Sequence, residues 1–230
     1  MEPGLEACAR GQGAAEDTLL DSYEAERWPV GRFLLRFTDR AFSVAGSGGP
    51  LIPILGNLLA PGLAPLVLRS RRVRAFAFRF VSQLGIRYRE SPVVREGDPA
   101  PRRGPRAGDR LPDARIESDG HSTWLLHALT APGFRLLLCG RLETWEPGAL
   151  HRLAERYAGL VTVQRLSGDR GPDTLSDPTG EAFARLGVRN AAQYLVRPDG
   201  HVAFRSAGTD LTGLESYLAQ WLPGAQPAKS

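Results

Sequence analysis

The thiol of Cys139 is the side chain in this sequence best placed for chemistry. It ends the apolar run FRLLLC, residues 134–139, and a turn and a helical pattern follow it. A dithiol redox protein carries its reactive pair at such a place, with a second cysteine after two intervening residues to lower the pKa of the first. Positions 140–142 are Gly, Arg and Leu, so the second thiol is absent. Arg141 could lower the pKa of Cys139, but a lone thiol in an apolar run is usually a small, inert, buried hydrophobe, and we favour that interpretation.

Other reactive side chains form no convincing site. Cys8 lies in a Gly- and Ala-rich stretch, residues 1–17, which we expect to be weakly ordered and a poor source of a resolving thiol. Serines and histidines are too scattered to nominate a catalytic triad. The histidines are not spaced as metal ligands are. The charged residues before Pro29 are more simply explained as the exposed face of a helix than as an acid/base pair. We therefore predict no catalytic, cofactor-binding or metal-ligating residue; the side chains considered are His121, His127, His151, His201, Glu24, Glu26 and Arg27.

Positive charge is concentrated in one part of the chain. The net charge is +4, yet Arg69 to Arg110 contains 12 basic and 4 acidic residues. Such a block can contact nucleic acid or phosphate, but no aromatic-interleaved recognition motif accompanies it, so we favour a solvated helix face plus a linker and predict no nucleic-acid partner. Two cysteines cannot form a disulfide framework, and no signal peptide is apparent, which predicts a cytoplasmic protein.

The first ninety residues have helical patterns. A helix is expected to begin at Thr18 and to break near Pro29, and a second runs through residues 30–46. The stretch 51–68 lacks charge over 18 residues, as a membrane span would. Its prolines and glycines argue against one regular helix, so we expect short helical pieces and no membrane association. Residues 69–84 predict a helix that buries one face and needs a partner; that face contains Val73, Phe76, Ala77, Phe80 and Leu84.

The remainder predicts an α/β domain. Residues 91–108 are rich in Pro, Gly and Arg and have no apolar period, which is typical of a linker. After them the patterns alternate as strand, helix, strand, helix, β-hairpin and helix, which predicts a central sheet with helices on both faces. The predicted organisation is a helical arm over 1–90, a linker over 91–108, a domain over 109–222 and a tail over 223–230.

The C-terminal domain resembles the thioredoxin fold. The resemblance is densest in LGVRNAAQYLVRPDGHVAFRSAGTDLTGLESYLAQWL, residues 186–222. Within it, GVRxxxxYLVRPDGHVAFRxxG follows the thioredoxin order of Gly, small apolar residue, Arg, strand, Asp-Gly turn, strand and Gly. GDRLPDARIESDG, residues 108–120, is similar to the first strand of thiol peroxidases of that superfamily. The resemblance implies that Ala192 occupies the place of the cis-proline that faces the active cysteines. Both halves of a thiol redox site are therefore expected to be missing.

A second resemblance concerns the arm and the domain together. LLDSYEAERWPVGRFLLRFTDRAF, residues 19–42, is similar to the last helix of the FAD domain in flavin-dependent aromatic hydroxylases, where Tyr-Glu-x-Glu-Arg-x-Pro is found. Some of these monooxygenases carry a C-terminal thioredoxin-like domain without redox cysteines, and the two matches stand in the family's order. Trp28 replaces the usual Arg. The resemblance implies FAD, NAD(P)H and a phenolic or polyketide substrate for a complete enzyme.

The flavin-binding motifs of that family are not in this sequence. The nearest string to the dinucleotide fingerprint, GQGAAE at residues 11–16, lacks the third Gly and follows no strand. Asp109 follows Gly108, but outside the context of the family's Gly-Asp motif. We expect no cofactor to be bound by this chain alone.

Two functional hypotheses follow. In the first, the chain is the C-terminal part of a flavin-dependent aromatic hydroxylase and serves packing, dimerisation or completion of a flavin domain, with residues 51–84 contacting a flavin-domain partner or a second copy. The aromatic substrate would then bind only to the complete enzyme. In the second, the chain is a free-standing, redox-silent thioredoxin-like interaction module.

Overall fold

The computed structural model describes residues 86–222 except residue 131, together with isolated positions at 32, 35, 36, 39, 43, 69–71, 73 and 74. The chain divides into two compact units. Residues 87–222 all lie in one of them, and residues 25–86 form the other. In the second unit the described positions between 32 and 43, and those at 71, 73 and 74, are helical. The predicted helix at Thr18 and the apolar stretch 51–68 lie outside the described residues.

One eight-stranded sheet organises residues 95–207. Its central strands are short apolar runs of the kind that both faces of a sheet bury. The order across the sheet is β1-β8-β7-β4-β5-β6-β2-β3. β4 is parallel to β5 and antiparallel to β7, and β7 and β8 form a hairpin. The strands are β1 Arg95–Glu96, β2 Arg115–Ser118, β3 His121–Trp124, β4 Phe134–Cys139, β5 Val161–Ser167, β6 Thr174–Ser176, β7 Ala192–Val196 and β8 Val202–Ala207.

Helices cover both faces of this sheet. In the described part of residues 86–222 they are α1 Leu125–Ala128, α2 Pro147–Arg156, α3 Glu181–Leu186 and α4 Thr212–Trp221, with a 3-10 turn at Leu142–Thr144. α1 and α3 contribute to the core on one face, and α2 and α4 to the core on the other. Side chains alternate between the two cores along β4, because successive residues of a strand point to opposite faces: Leu136 and Leu138 belong to one, Leu137 and Cys139 to the other.

The segment 91–108 packs on the sheet, although its composition predicts a linker. β1 lies within it and pairs in parallel with β8, which places Arg95 beside Phe204. Val93 and Ala107 are buried. We call residues 91–108 the edge strap. The predicted domain boundary at residue 109 remains a prediction, but the contacts of the edge strap are not those of a free linker.

The predicted α/β architecture with helices on both faces is confirmed. The apolar runs at 134–139, 161–167, 192–196 and 202–207 form strands, and the predicted helices of this domain are found within a few residues of their expected bounds. β1, β3, β6 and α1 were not predicted from periodicity, because each is four residues or fewer and therefore too short to show a period.

Candidate functional site

Cys139 lies at the end of β4 with its side chain in the core. It is fully buried and makes no disulfide. Ala192 of β7 is its partner across the antiparallel ladder, and Leu166 of β5 is its partner on the other side. Burial, and secondarily the negative charge of Asp177, raises the pKa of the Cys139 thiol far above its ordinary value. The thiol is therefore protonated and inaccessible at neutral pH.

The residue after Cys139 leaves no room for a side chain. Gly140 has a φ of 138°, and a Cβ at this position would lie 2.9 Å from the carbonyl oxygen of Asn190. The backbone thus crosses the loop before β7 at a distance that only glycine permits. Arg141 is exposed and the thiol is not, so the predicted alternative, in which Arg141 activates Cys139, has no geometric support. Cys8 lies outside the described residues.

Asp177 is the charged residue that contributes to the raised pKa of Cys139, and its own role is structural. It is buried, and its carboxylate accepts a hydrogen bond of 2.8 Å from the backbone N–H of Phe183 in the first turn of α3. Its own N–H donates to the carbonyl oxygen of Ser167 at 2.8 Å. Asp177 therefore caps α3 and ties it to the end of β5.

The four histidines do not meet. His121 and His127 are exposed, and His151 lies 3.2 Å from Glu155 one turn further along α2. His201 is buried, with its ring edge-on to Tyr88 at 4.7 Å between centroids. Within the described part of the chain no group of three or more His, Cys, Asp or Glu could hold a metal ion.

An ionic cluster occupies the turn between β7 and β8. Asp199 lies 3.3 Å from Nδ1 of His201 and 3.1 Å from Nη2 of Arg197, whose guanidinium lies over the ring of Tyr88. Partial burial opposes ionisation of Asp199, but His201, whose backbone N–H donates to Oδ1 of Asp199 at 3.0 Å, and the charge of Arg197 outweigh it and lower the pKa of Asp199 to about 2. The cluster holds the turn against the chain at Tyr88.

Asp109 joins the two ends of the edge strap. Arg89 donates to both of its carboxylate oxygens at 2.7 Å, and the backbone N–H of Arg106 donates at 3.0 Å. Burial raises the pKa of Asp109, but these hydrogen bonds and the charge of Arg89 prevail, so the net shift is downward. Beside this pair, the N–H of Tyr88 donates to the carbonyl oxygen of Gly108 at 2.8 Å. Asp109 is thus an anchor of the chain.

A notch of about 260 Å³ lies between the start of α2 and the start of α4. Three carboxylates line it, and the indole N–H of Trp145, which also lines it, has no hydrogen-bond partner among the described residues. FAD carries an anionic pyrophosphate that needs backbone N–H groups and cations, so this acidic lining does not fit FAD. The lining residues are Trp145, Glu146, Ala149, Thr209, Asp210, Leu211, Thr212 and Glu215.

Family comparison identifies the domain. The family model described as aromatic-ring hydroxylase, C-terminal, matches residues 104–225, which is more than half of the chain. The chain belongs to this aromatic-ring hydroxylase family. The match covers strands β2 to β8, both cores and the last residues of the edge strap.

Curated relatives of this aromatic-ring hydroxylase chain are named as monooxygenases. The 6-methylpretetramide 4-monooxygenase of Streptomyces rimosus is 30% identical over 216 residues, which are 90% of this chain and 37% of the relative. The 4-methyl-5-nitrocatechol 5-monooxygenase of Burkholderia sp. is 30% identical over 204 residues, which are 84% of this chain and 33% of the relative. The chain therefore spans about a third of the length of the curated relatives it matches, and it corresponds to their C-terminal part.

A solved structure gives the same result. The flavin-dependent monooxygenase PieE, in complex with FAD and substrate, is 27% identical with a TM-score of 0.56, and the match covers 92% of this chain and 41% of PieE. The predicted resemblance to FAD-dependent aromatic hydroxylases, with a thioredoxin-like C-terminal domain, is thereby confirmed. No helix among the described residues is long and apolar enough to cross a membrane.

Sequence reasoning missed the two ionic anchors of this aromatic-ring hydroxylase domain. The Arg89–Asp109 pair was hidden in the arginine block, where its members are twenty residues apart. The Arg197–Asp199–His201 group had a local signal, the RPDGH turn, which predicted the hairpin but not the packing against Tyr88.

Proposed function

We propose that this chain is the C-terminal part of a flavin-dependent aromatic-ring monooxygenase and completes or packs against a flavin domain instead of performing chemistry itself. The match to the C-terminal third of named monooxygenases supports the family part of this proposal. The burial of Cys139 opposite Ala192 supports the second part, because no accessible thiol for redox catalysis is then found among the described residues.

The ring oxygen would be inserted in the complete enzyme, with FAD and NAD(P)H as cofactors and a phenolic or polyketide ring as substrate. When bound, FAD supplies the oxygen chemistry. The notch does not suit FAD, and we propose that the flavin is held by residues outside this chain. Residues 51–84, with their predicted apolar stripe, are the surface we propose for a flavin-domain partner or for a second copy of the chain. A cytoplasmic location remains a prediction.

A chimera tests the completing role. The part of 6-methylpretetramide 4-monooxygenase that precedes the matched region is produced alone and fused to this chain, and the intact relative serves as the reference. We expect flavin content and NAD(P)H-dependent hydroxylation to be low in the truncated enzyme and to rise towards the reference in the fusion. A truncated enzyme that retains as much FAD and turnover as the reference would contradict a completing role.

Flavin titration of the chain alone separates the alternatives. We expect no change in flavin fluorescence and no NAD(P)H oxidation when FAD is added to the purified chain. Tight flavin binding by the chain alone would overturn the proposal that residues elsewhere hold the cofactor. A fusion without recovery of function, together with a folded, flavin-free chain, would instead favour the free-standing interaction module.

A further inference from the structure

The edge strap completes the β8 side of the sheet by backbone hydrogen bonds. Beyond the β1–β8 pairing, the N–H of Gly97 donates to the carbonyl oxygen of Arg205 at 2.7 Å. The N–H of Ala207 donates to the carbonyl oxygen of Pro99, also at 2.7 Å. Further along, the N–H of Gly108 donates to the carbonyl oxygen of Val202 at 2.7 Å. Groups on the outer side of β8 that would otherwise be open to another strand are therefore occupied from one end of β8 to the other.

An ion pair between buried Arg205 and Glu96, whose side chain is 39% exposed, locks the strap to this strand. The Arg205 side chain is only 6% exposed, and its Nε donates to Oε2 of Glu96 at 2.6 Å. The other oxygen of Glu96 accepts from the N–H of Ala107 at 2.9 Å, and Nη1 of Arg205 donates to the carbonyl oxygen of Arg103 at 3.2 Å. Removing the carboxylate would leave a buried guanidinium without its main counter-charge, which is strongly unfavourable.

Without the strap, the outer edge of β8 would be exposed and able to pair with a strand of another molecule. β8 contains the fully buried residues Val202, Ala203 and Phe204, and an uncovered strand edge of this composition is a template for pairing with another chain. A second copy of this chain offers the same edge, and two β8 edges brought together about a two-fold axis pair with each other by the same backbone groups.

We propose that the edge strap is a guard that opens as a local unit, with the Glu96–Arg205 pair as its lock, and that opening lets two copies associate through their β8 edges. The proposal concerns the folded domain and does not rest on the monooxygenase function proposed above.

Hydrogen exchange of the full chain tests the lock. In a Glu96→Ala variant the amides of Gly97 and Ala207 should exchange about a hundredfold faster than in the parent, while those of Leu137 and Tyr194 at the sheet centre change far less. Glu90→Ala is the matched control, because the Glu90 side chain is exposed and precedes the strap. Equal acceleration of strap and central amides, or acceleration of neither, would show that the strap is not a separate unit.

Association is measured on the same proteins by sedimentation velocity over a range of concentrations. The Glu96→Ala variant should gain a dimer or larger species that the parent and Glu90→Ala lack at equal concentration. Asp109→Ala, which unties the strap ends but leaves the lock intact, should accelerate strap exchange by only about tenfold. If Glu96→Ala folds poorly, Asp109→Ala is used in its place to test whether an opened strap increases association. An opened strap without any gain in association would overturn the guard role.

Discussion

Cys139 on β4 lies directly opposite Ala192 on β7 in the antiparallel ladder. These are the two positions where the thioredoxin resemblance leads one to look for a reactive thiol and its facing proline. Here they hold a buried thiol and a buried methyl group, and both belong to the same hydrophobic core. In this domain the side chains at that position serve packing.

Thiol labelling should confirm that Cys139 is inert. In a Cys8→Ser background, Ellman's reagent should react with native protein at least about a thousandfold more slowly than with chain unfolded in guanidinium chloride, because the thiol is fully buried and its pKa is raised. The unfolded sample is the control for reagent and stoichiometry. Labelling of the native protein within seconds at neutral pH would reopen the redox interpretation.

Gly187 should be far less tolerant of substitution than Gly159. Both have left-handed backbone, with φ of 71° and 79°, so alanine costs each about 1 kcal/mol of unfolding free energy. At Gly187 the new Cβ would also lie 2.5 Å from the backbone of Arg103 in the edge strap, whereas at Gly159 nothing lies within 4 Å. We expect Gly187→Ala to lower the free energy of unfolding by at least about 2 kcal/mol more than Gly159→Ala does.

Urea unfolding of the two glycine variants measures this difference. Because the φ penalty is common to both, the excess at Gly187 reports the close approach of the strap to the end of α3. Equal losses for the two variants would mean that the strap does not pack there in solution.

Low pH should reduce the stability of the domain, in part because Asp199 becomes protonated. Its folded pKa of about 2 lies below the ordinary value of 3.8, so the carboxylate stabilises the fold above about pH 4, and this contribution is lost as the pH falls from there towards 2. The carboxylate is about a third exposed, so the contribution is on the order of 1 kcal/mol.

Asp199→Asn is the variant for this test, followed by urea unfolding at intervals from pH 6 to pH 2. The variant should be less stable than the parent at pH 6, and the two should converge near pH 2. If the difference in unfolding free energy between parent and variant stayed constant from pH 6 to pH 2, the pKa of Asp199 would be the same in the folded and the unfolded chain. Asp169→Asn is a suitable control, since Asp169 is an exposed aspartate in the same domain.

The centre of the sheet was predictable because its strands carry their own signal. FRLLLC reads as a strand buried on both faces, and the structure divides its side chains between the two cores. The absence of a second cysteine could also be read directly, since a dithiol redox site needs two cysteines separated by only two residues.

The periphery was not predictable, because its signals are non-local. Glu96 and Arg205 are 109 residues apart, and nothing in the local pattern of either indicates the other. The Pro- and Gly-rich composition of the edge strap is that of a linker, and the segment is nevertheless held by backbone hydrogen bonds, which leave no hydrophobic periodicity. β6 forms from three residues whose burial depends on neighbours on both sides.

The Arg89–Asp109 pair limits the distance that residues 91–108 can span. A free linker of the length of residues 91–108 can extend to about 60 Å. Here the residues that flank it are joined by two hydrogen bonds of 2.7 Å, so the segment returns to its starting point and adds almost nothing to the span of the chain. Residues 91–108 have the composition of a tether but pack on the sheet, and Arg89 and Asp109, on either side of them, lie together.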